Sequence, residues 1–453
     1  MKSVSQRLLR GGIIAVLGRT FVAVGVVLVN ALVARLLSPA ETGLFLLALS
    51  IVTVGAVIAD FGFGKTLLRV IPDAVISGEQ VRAVSHIKHV FAAVSLTAMA
   101  TTLVLVSPAG IWLAGKLSHG HLLAELMPLI ALWLIVTVVT SLLAETCRGF
   151  HYIAAAIFYG GALTGLGNIL IVSITLTTAW YVSVAITLKQ LIVIFILAGL
   201  LLSLLATLKI RQRLQNCSEG ESNGSIKTLF IMAWPFWFSS MALILMTHAE
   251  IWILGYLRPP EEVAAFGLVA RVALLVSFPL VIVNSVLPPL ISELYANDDI
   301  RKMERMLQVS AGLTTLCSLG VFLVLLVLGD WLPQFLFGDI YSGNWKVMMI
   351  LAVGWLFHVW AGSGGFVLNM TDNQKSAMII NIAVGGLTIL MGVWLTDLYG
   401  GLGMAIASSS GIVLVNILML LVIRYKLGIH IYAGLSGLRD IKSEVTRRMQ
   451  ALQ

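Results

Sequence analysis

Three cations stand where this chain makes charge expensive. Arg19, Lys189 and Arg271 each fall well inside a long apolar run, Arg19 about 12 Å from the end of its run at 1.5 Å per helical residue. No acidic residue lies within one helical turn of any of them at the same depth, so none is neutralised locally. A guanidinium suits phosphate oxygens in bidentate fashion and an ammonium supplies a point charge, so deep cations drawn from both halves of the chain point to an anion-attracting cavity. The alternative is that each pairs with a carboxylate, or with carbonyls of a broken helix, elsewhere in the fold. Arg148 adds a cation at the mouth of such a path, where an ordinary interfacial charge is the competing reading.

The acidic candidates are fewer. Glu250, close to His248 in one apolar run, is a pair able to take up a proton or a cation, or else to hydrogen-bond another helix. Asp60 opens the sequence Asp60-Phe61-Gly62-Phe63-Gly64 and is followed by Lys65 and Arg69, either of which is a natural partner. Glu145 and Glu125 sit near run ends, where pairing at the surface is the simpler role, and His358 reads as a helix-to-helix hydrogen bond. No His/Cys spacing suggests a metal, the three cysteines (Cys147, Cys217, Cys317) are far apart, and no cofactor is expected.

The elements that must position these residues are membrane helices. A mean hydropathy of +1.00, with 59% hydrophobic and 11% charged residues, excludes a soluble globular domain. The runs are long enough for helices and too long for barrel strands. Twelve spans are expected, near 11–35, 42–64, 87–113, 123–146, 152–176, 181–208, 228–256, 262–290, 307–332, 345–369, 376–397 and 402–424. With the N-terminus inside, nearly all Lys and Arg outside the deep set fall on the cytoplasmic side, which places both termini there. The net charge of +8 therefore reflects membrane topology and calls for no nucleic acid.

The chain also repeats itself. Leu37-Ser38-Pro39-Ala40-Glu41 matches Leu257-Arg258-Pro259-Pro260-Glu261, each joining two apolar runs by a proline turn with a carboxylate in the next first turn. The polar stretch Cys217 to Ser225 separates the copies. The expected fold class is an all-α polytopic membrane protein: twelve transmembrane helices in two six-helix lobes, related by a pseudo-twofold axis along the membrane normal. The lobes are residues 1–210 and 228–424, with a linker at 211–227 and a basic amphipathic tail at 425–453 set against membrane lipids. Pro235 should kink the seventh span. Most tryptophans should form an interfacial belt, with Trp234, Trp237 and Trp360 as exceptions.

ARLLSPAETGLF after the first span, DFGFG closing the second and ETCRGF after the fourth resemble the Wzx-type polysaccharide flippases of the multidrug/oligosaccharidyl-lipid/polysaccharide exporter superfamily. The resemblance implies alternating access and no enzyme chemistry. It implies movement of an undecaprenyl-diphosphate-linked oligosaccharide across a bacterial inner membrane for O-antigen or exopolysaccharide synthesis, beside polymerase and export machinery. The family's basic cavity residues would fall on Arg19 and Arg271, and less directly on Lys189. Two departures narrow this: there is no room for the two extra helices of lipid II flippases, and the cavity is basic where drug exporters use acidic residues. A cation-coupled multidrug exporter is the alternative. A membrane-embedded polymerase or ligase is the rival of another class, but it would need a larger loop outside than any here.

Overall fold

The computed structural model describes residues 2–76, 80–117, 121–150, 152–161, 164–214 and 226–434, with side chains described for all of these except 2–17, 19, 75, 76, 80, 213, 214, 226, 227, 239, 242, 243 and 246. The linker and the end of the tail lie outside the described residues. Among the described residues there are helices and no strands.

The first half runs α1 (Lys2–Leu36), α2 (Pro39–Asp60), α3 (Phe63–Ile76), α4 (Gln80–Val106), α5 (Pro108–Leu117), α6 (Leu122–Glu125), α7 (Met127–Gly149), α8 (Ile153–Phe158), α9 (Leu166–Tyr181) and α10 (Leu188–Leu214). The second runs α11 (Ile226–Leu257), α12 (Pro260–Ala273), a 3-10 turn, α13 (Phe278–Val283), α14 (Leu287–Ala296), α15 (Ile300–Leu328), α16 (Trp331–Phe337), α17 (Trp345–Ala361), α18 (Gly364–Met370), α19 (Gln374–Tyr399) and α20 (Gly401–Leu427). Eight helices are long and apolar enough to cross a membrane, one further span is the bent pair α17 and α18, and three shorter apolar stretches lie at Thr20–Leu36, Leu166–Tyr181 and Thr228–Phe238. Eight of the expected spans are thus present at full length, the bent pair would make a ninth, and the three shorter stretches overlap the first, fifth and seventh expected spans.

Two features differ from the sequence expectation. Each half carries an extra helix after its second span, α3 and α14, which hydropathy alone merges with the preceding run or its loop. Each also carries a short helix after its third span, α5 and α16, where only a loop was expected. These repeat at matching places, so the internal repeat extends beyond the proline turn. Trp112, Trp180, Trp331 and Trp394 are all exposed. Trp133, expected among the belt tryptophans, is instead only 1% exposed and packs with Phe45 and Phe195 at centroid distances of 6.1 and 5.0 Å.

By contact the chain divides into residues 1–264 and 265–453, a boundary that falls inside α12. In the first unit, α11 lies along α2 and also meets α3 and α5. Close packing drives helix association where lipid is as apolar as the side chains, and the proline turns show it. A Cβ on Gly43 would lie 1.8 Å from the Pro260 carbonyl oxygen, so the first turn's helix touches the second turn itself. Ser38 caps α2 in a capping box with Glu41 and Pro39 follows at the first helical position. Glu41 Oε1 also accepts from the Leu188 amide at 3.3 Å, helping to satisfy the start of α10.

In the second unit the core gathers Leu287, Ile291, Met303, Leu307, Val367 and Ile423 from α14, α15, α18 and α20. The α17–α18 span bends by 41°. Gly362 at the break has a φ of +79°, and Ser363 Oγ donates to Asn284 Oδ1 at 2.5 Å, tying this break to the one after α13. Threonines inside spans donate back to carbonyls one turn earlier, as Thr140 does to Val136 at 3.0 Å and Thr53 to Leu49 at 2.7 Å, so their hydroxyls need no lipid-facing partner.

Gly43→Val is expected to destabilise the protein by at least about 1–3 kcal/mol through overpacking, whereas Gly386→Ala, whose Cβ position is open, should leave the melting temperature in detergent unchanged. Equal melting of the two variants would contradict the close approach of α2 to Pro260.

Candidate functional site

Arg271 stands at the midpoint of the span Pro260–Val283, about 17 Å from either end at 1.5 Å per residue. Sequence places it there for local reasons. Arg258 and Pro259 end the preceding run, Pro260 opens α12, and Glu261 and Glu262 occupy the first turn, where carboxylates suit the helix dipole. Arg258 Nε lies 4.0 Å from Glu262, so that carboxylate is held at the span's end. The residues around Arg271 in sequence, Leu268, Val269, Val272 and Ala273, are buried and apolar, and Arg271 itself is half-buried. Among the described residues no carboxylate pairs with it and no hydrogen bond to its guanidinium is found. A guanidinium keeps its proton, so a full charge with five donors sits at membrane depth. What it can do is bind an anion through paired N–H groups.

The other expected cations fare differently. Arg19 lies on α1, and its side chain is outside the described residues. Lys189 is corrected: it stands in the first turn of α10 and is exposed, not deep. The reason is a cap. Thr187 Oγ1 accepts from the Gln190 amide at 3.4 Å while Gln190 Oε1 accepts from the Thr187 amide at 2.9 Å, so the helix starts at Leu188 and the apolar residues before it belong to a turn. Thr-Leu-Lys-Gln is a legible capping signal that hydropathy overrode. Arg148 is exposed and pairs with Glu145 at 2.5 Å, which gives Glu145 the surface-type partner expected of it.

On the acidic side, Glu250 and His248 both lie on α11, half-buried, and each is engaged by neighbours. Asn30, matched to Glu250 through the repeat, is buried, donates to Val26 O at 2.6 Å and has an Oδ1 without a partner among the described residues. His358 Nδ1 lies 3.1 Å from Asn416 Oδ1, the interhelical hydrogen bond expected of it. Helix α11 continues through Pro235.

Asp60 proves to be a cap. Phe61 ends α2 at a φ of 49° and Gly62 follows at +78°; Asp60 Oδ1 then accepts from the Gly64 amide at 3.0 Å, bonding the start of α3. A Cβ on Gly62 would lie 2.3 Å from Ala233 O of α11, so this position needs glycine on both counts. Around the turn Phe61 stacks on Trp237 at 5.0 Å, Phe63 meets Phe230 edge-on at 5.0 Å, and Lys65 Nζ donates to Ser240 Oγ at 2.8 Å. Further along, Trp252 Nε1 donates to Ser50 Oγ at 2.8 Å. Thus Trp237, singled out in the sequence, packs against the DFGFG turn, while Trp360 packs on Tyr432 at 5.2 Å and Trp234 is exposed.

The sequence profile of the polysaccharide biosynthesis protein family matches residues 8–295, and that of MatE matches residues 235–394. No curated protein matches the chain by sequence. Among solved structures, an inward-facing multidrug resistance MATE family transporter of the MOP superfamily aligns with a TM-score of 0.70 at 13% identity, over 90% of this chain and 94% of that one. The lipid II flippase MurJ in an inward closed conformation aligns at 0.64 and 13% identity, over 90% and 87%. An outward-facing multidrug resistance MATE family transporter of the same superfamily aligns at 0.53 and 15% identity, over 92% and 93%. At these identities the likeness is one of fold.

Asp60→Ala is expected to lower stability by about 1 kcal/mol through loss of the cap, while Asp60→Asn keeps an acceptor for the Gly64 amide and should melt like wild type. A large loss in Asp60→Asn would mean that the carboxylate's charge holds this turn.

Proposed function

The chain belongs to the polysaccharide biosynthesis protein family, and on that footing we propose that it is a flippase carrying an undecaprenyl-diphosphate-linked oligosaccharide across the bacterial inner membrane. The observation that carries this reading is Arg271: a mid-span guanidinium with no carboxylate partner among the described residues. In a low-dielectric site its attraction for a diphosphate is several times stronger than in water, and the fork of donors fits two phosphate oxygens at once. Arg19 on α1 is proposed as the second phosphate ligand. The sugar follows the phosphates through the protein while the polyprenyl tail stays in lipid, so no covalent step is needed. The halves, residues 1–210 and 228–424, alternate access, with both termini cytoplasmic. The product feeds polysaccharide polymerase and export machinery.

Lys189 and Arg148, at span ends, guide the anion toward and away from the deep site; neither is a mid-membrane ligand in this reading. A second reading, a cation-coupled drug exporter, is favoured by the MatE match over residues 235–394. It assigns the coupling ion to Glu250 and His248, with Asp60 as a lesser candidate.

Arg19→Ala/Arg271→Ala is expected to cut surface polysaccharide at least about tenfold, as loss of one charged hydrogen-bonded contact does, with membrane insertion intact. Wild-type polysaccharide in that variant would overturn the flippase assignment. Loss of dye efflux in Glu250→Gln without any glycan defect would establish the exporter instead.

A further inference from the structure

A recess of about 330 Å³ opens at the C-terminal end of α20, bounded by α17 and by the segment 428–434 that follows α20. This segment is a fastened strap. The Ala433 amide donates to the Trp360 carbonyl at 2.9 Å. The His430 amide donates to Glu304 Oε1 at 2.8 Å, and the His430 carbonyl accepts from Gln308 Nε2 at 3.0 Å. Arg424 Nη1 donates to the Gly428 carbonyl at 2.6 Å. Four bonds to three helices hold one wall of the recess in place, and the aromatic wall is equally set: Trp360 packs on Phe357 at 5.1 Å and on Tyr432 at 5.2 Å.

The lining has two chemical characters. Ile417 and Leu421 of α20 are 38% and 59% exposed on a helix that spans the membrane over Gly401–Leu427, so they meet acyl chains. Arg424, one turn above Leu421 and in the last turn of the same helix, stands at the level where headgroup phosphates lie. Its bond to Gly428 uses one of five guanidinium donors and fixes the side chain beside the recess. Among the described residues no carboxylate lines the recess, and Glu304, beneath the strap, accepts from the His430 amide. An apolar floor open to lipid beneath a cationic rim matches an amphiphile with one phosphate and a hydrocarbon tail, and a recess of this size has no space for an oligosaccharide.

We propose that this recess binds one anionic phospholipid, its phosphate on Arg424 and its first methylenes against Ile417, Leu421 and Trp360. This is a lipid site on the second unit alone, separate from Arg271, and it holds whether or not the transported substrate is the one proposed above.

Native mass spectrometry of the full-length protein in mild detergent with added phosphatidylglycerol tests it. The wild type should retain one more phosphatidylglycerol than Arg424→Gln, and phosphatidylcholine should show no such difference. Leu421→Trp, which fills the recess without changing charge, should lose the same lipid; it decides the matter if Arg424→Gln fails to fold. In vesicles of brominated phosphatidylglycerol, the fluorescence lost on Trp360→Phe should be the strongly quenched part. Equal phosphatidylglycerol retention in wild type and in both variants would overturn the proposal, as would selective retention of undecaprenyl phosphate over phosphatidylglycerol.

Discussion

A permanent positive charge midway along an apolar span, paired with no carboxylate among the described residues, constrains what this protein can be. By insertion scales an arginine at that depth costs about 2.5–3.5 kcal/mol, and the apolar residues flanking Arg271 do nothing to reduce it. Structural cations in membranes are ordinarily tied to acids. Among the described residues no ion pair ties Arg271 to an acid, and Glu262, nine residues earlier in the chain, faces Arg258 at the span's end. In the proposed reading, an anion that arrives and leaves gives that charge a function, which a scaffold would not require.

The first unit shows how small residues let its helices approach closely. Helix α11 and the turn that follows it are fastened to α2 and its end at several levels: the DFGFG turn with Gly62 against Ala233, the Ser50–Trp252 hydrogen bond, and Gly43 against Pro260 at the start of α12. Each contact depends on a small residue or a single hydroxyl, as expected where close approach, and not the hydrophobic effect, holds helices together. Because Pro260 opens α12, the turn that α2 packs against is the same turn from which Arg271 is reached eleven residues later.

Much of this was legible in the sequence, and the failures have identifiable causes. The eight long spans follow from hydropathy, and the Ser38-Pro39 turn with its acidic partner follows from helix-cap chemistry. The depth of Lys189 was misread because the apolar residues 181–186 extend the run past a Thr187–Gln190 capping box, and local hydrogen bonding, not hydropathy, set the helix start. Helices α3 and α14 escape a hydropathy reading because, at 14 and 10 residues, they are shorter than a span and carry polar residues along their length. The Ser363–Asn284 tie and the His358–Asn416 bond join residues 79 and 58 positions apart, which no local pattern encodes. Arg271 was visible as a charge in the wrong solvent, but that no carboxylate among the described residues pairs with it needed the fold.

The central claim is that Arg271 meets an anionic lipid headgroup, and the most direct measurement is the affinity of a fluorescent polyprenyl-diphosphate sugar for the full-length protein in lipid nanodiscs. The account predicts that Arg271→Gln weakens binding by about tenfold or more, in keeping with the loss of a charge-assisted contact. It also predicts that Arg271→Lys, keeping the charge without the fork, falls between the two. Identical affinity in wild type and Arg271→Gln would contradict it.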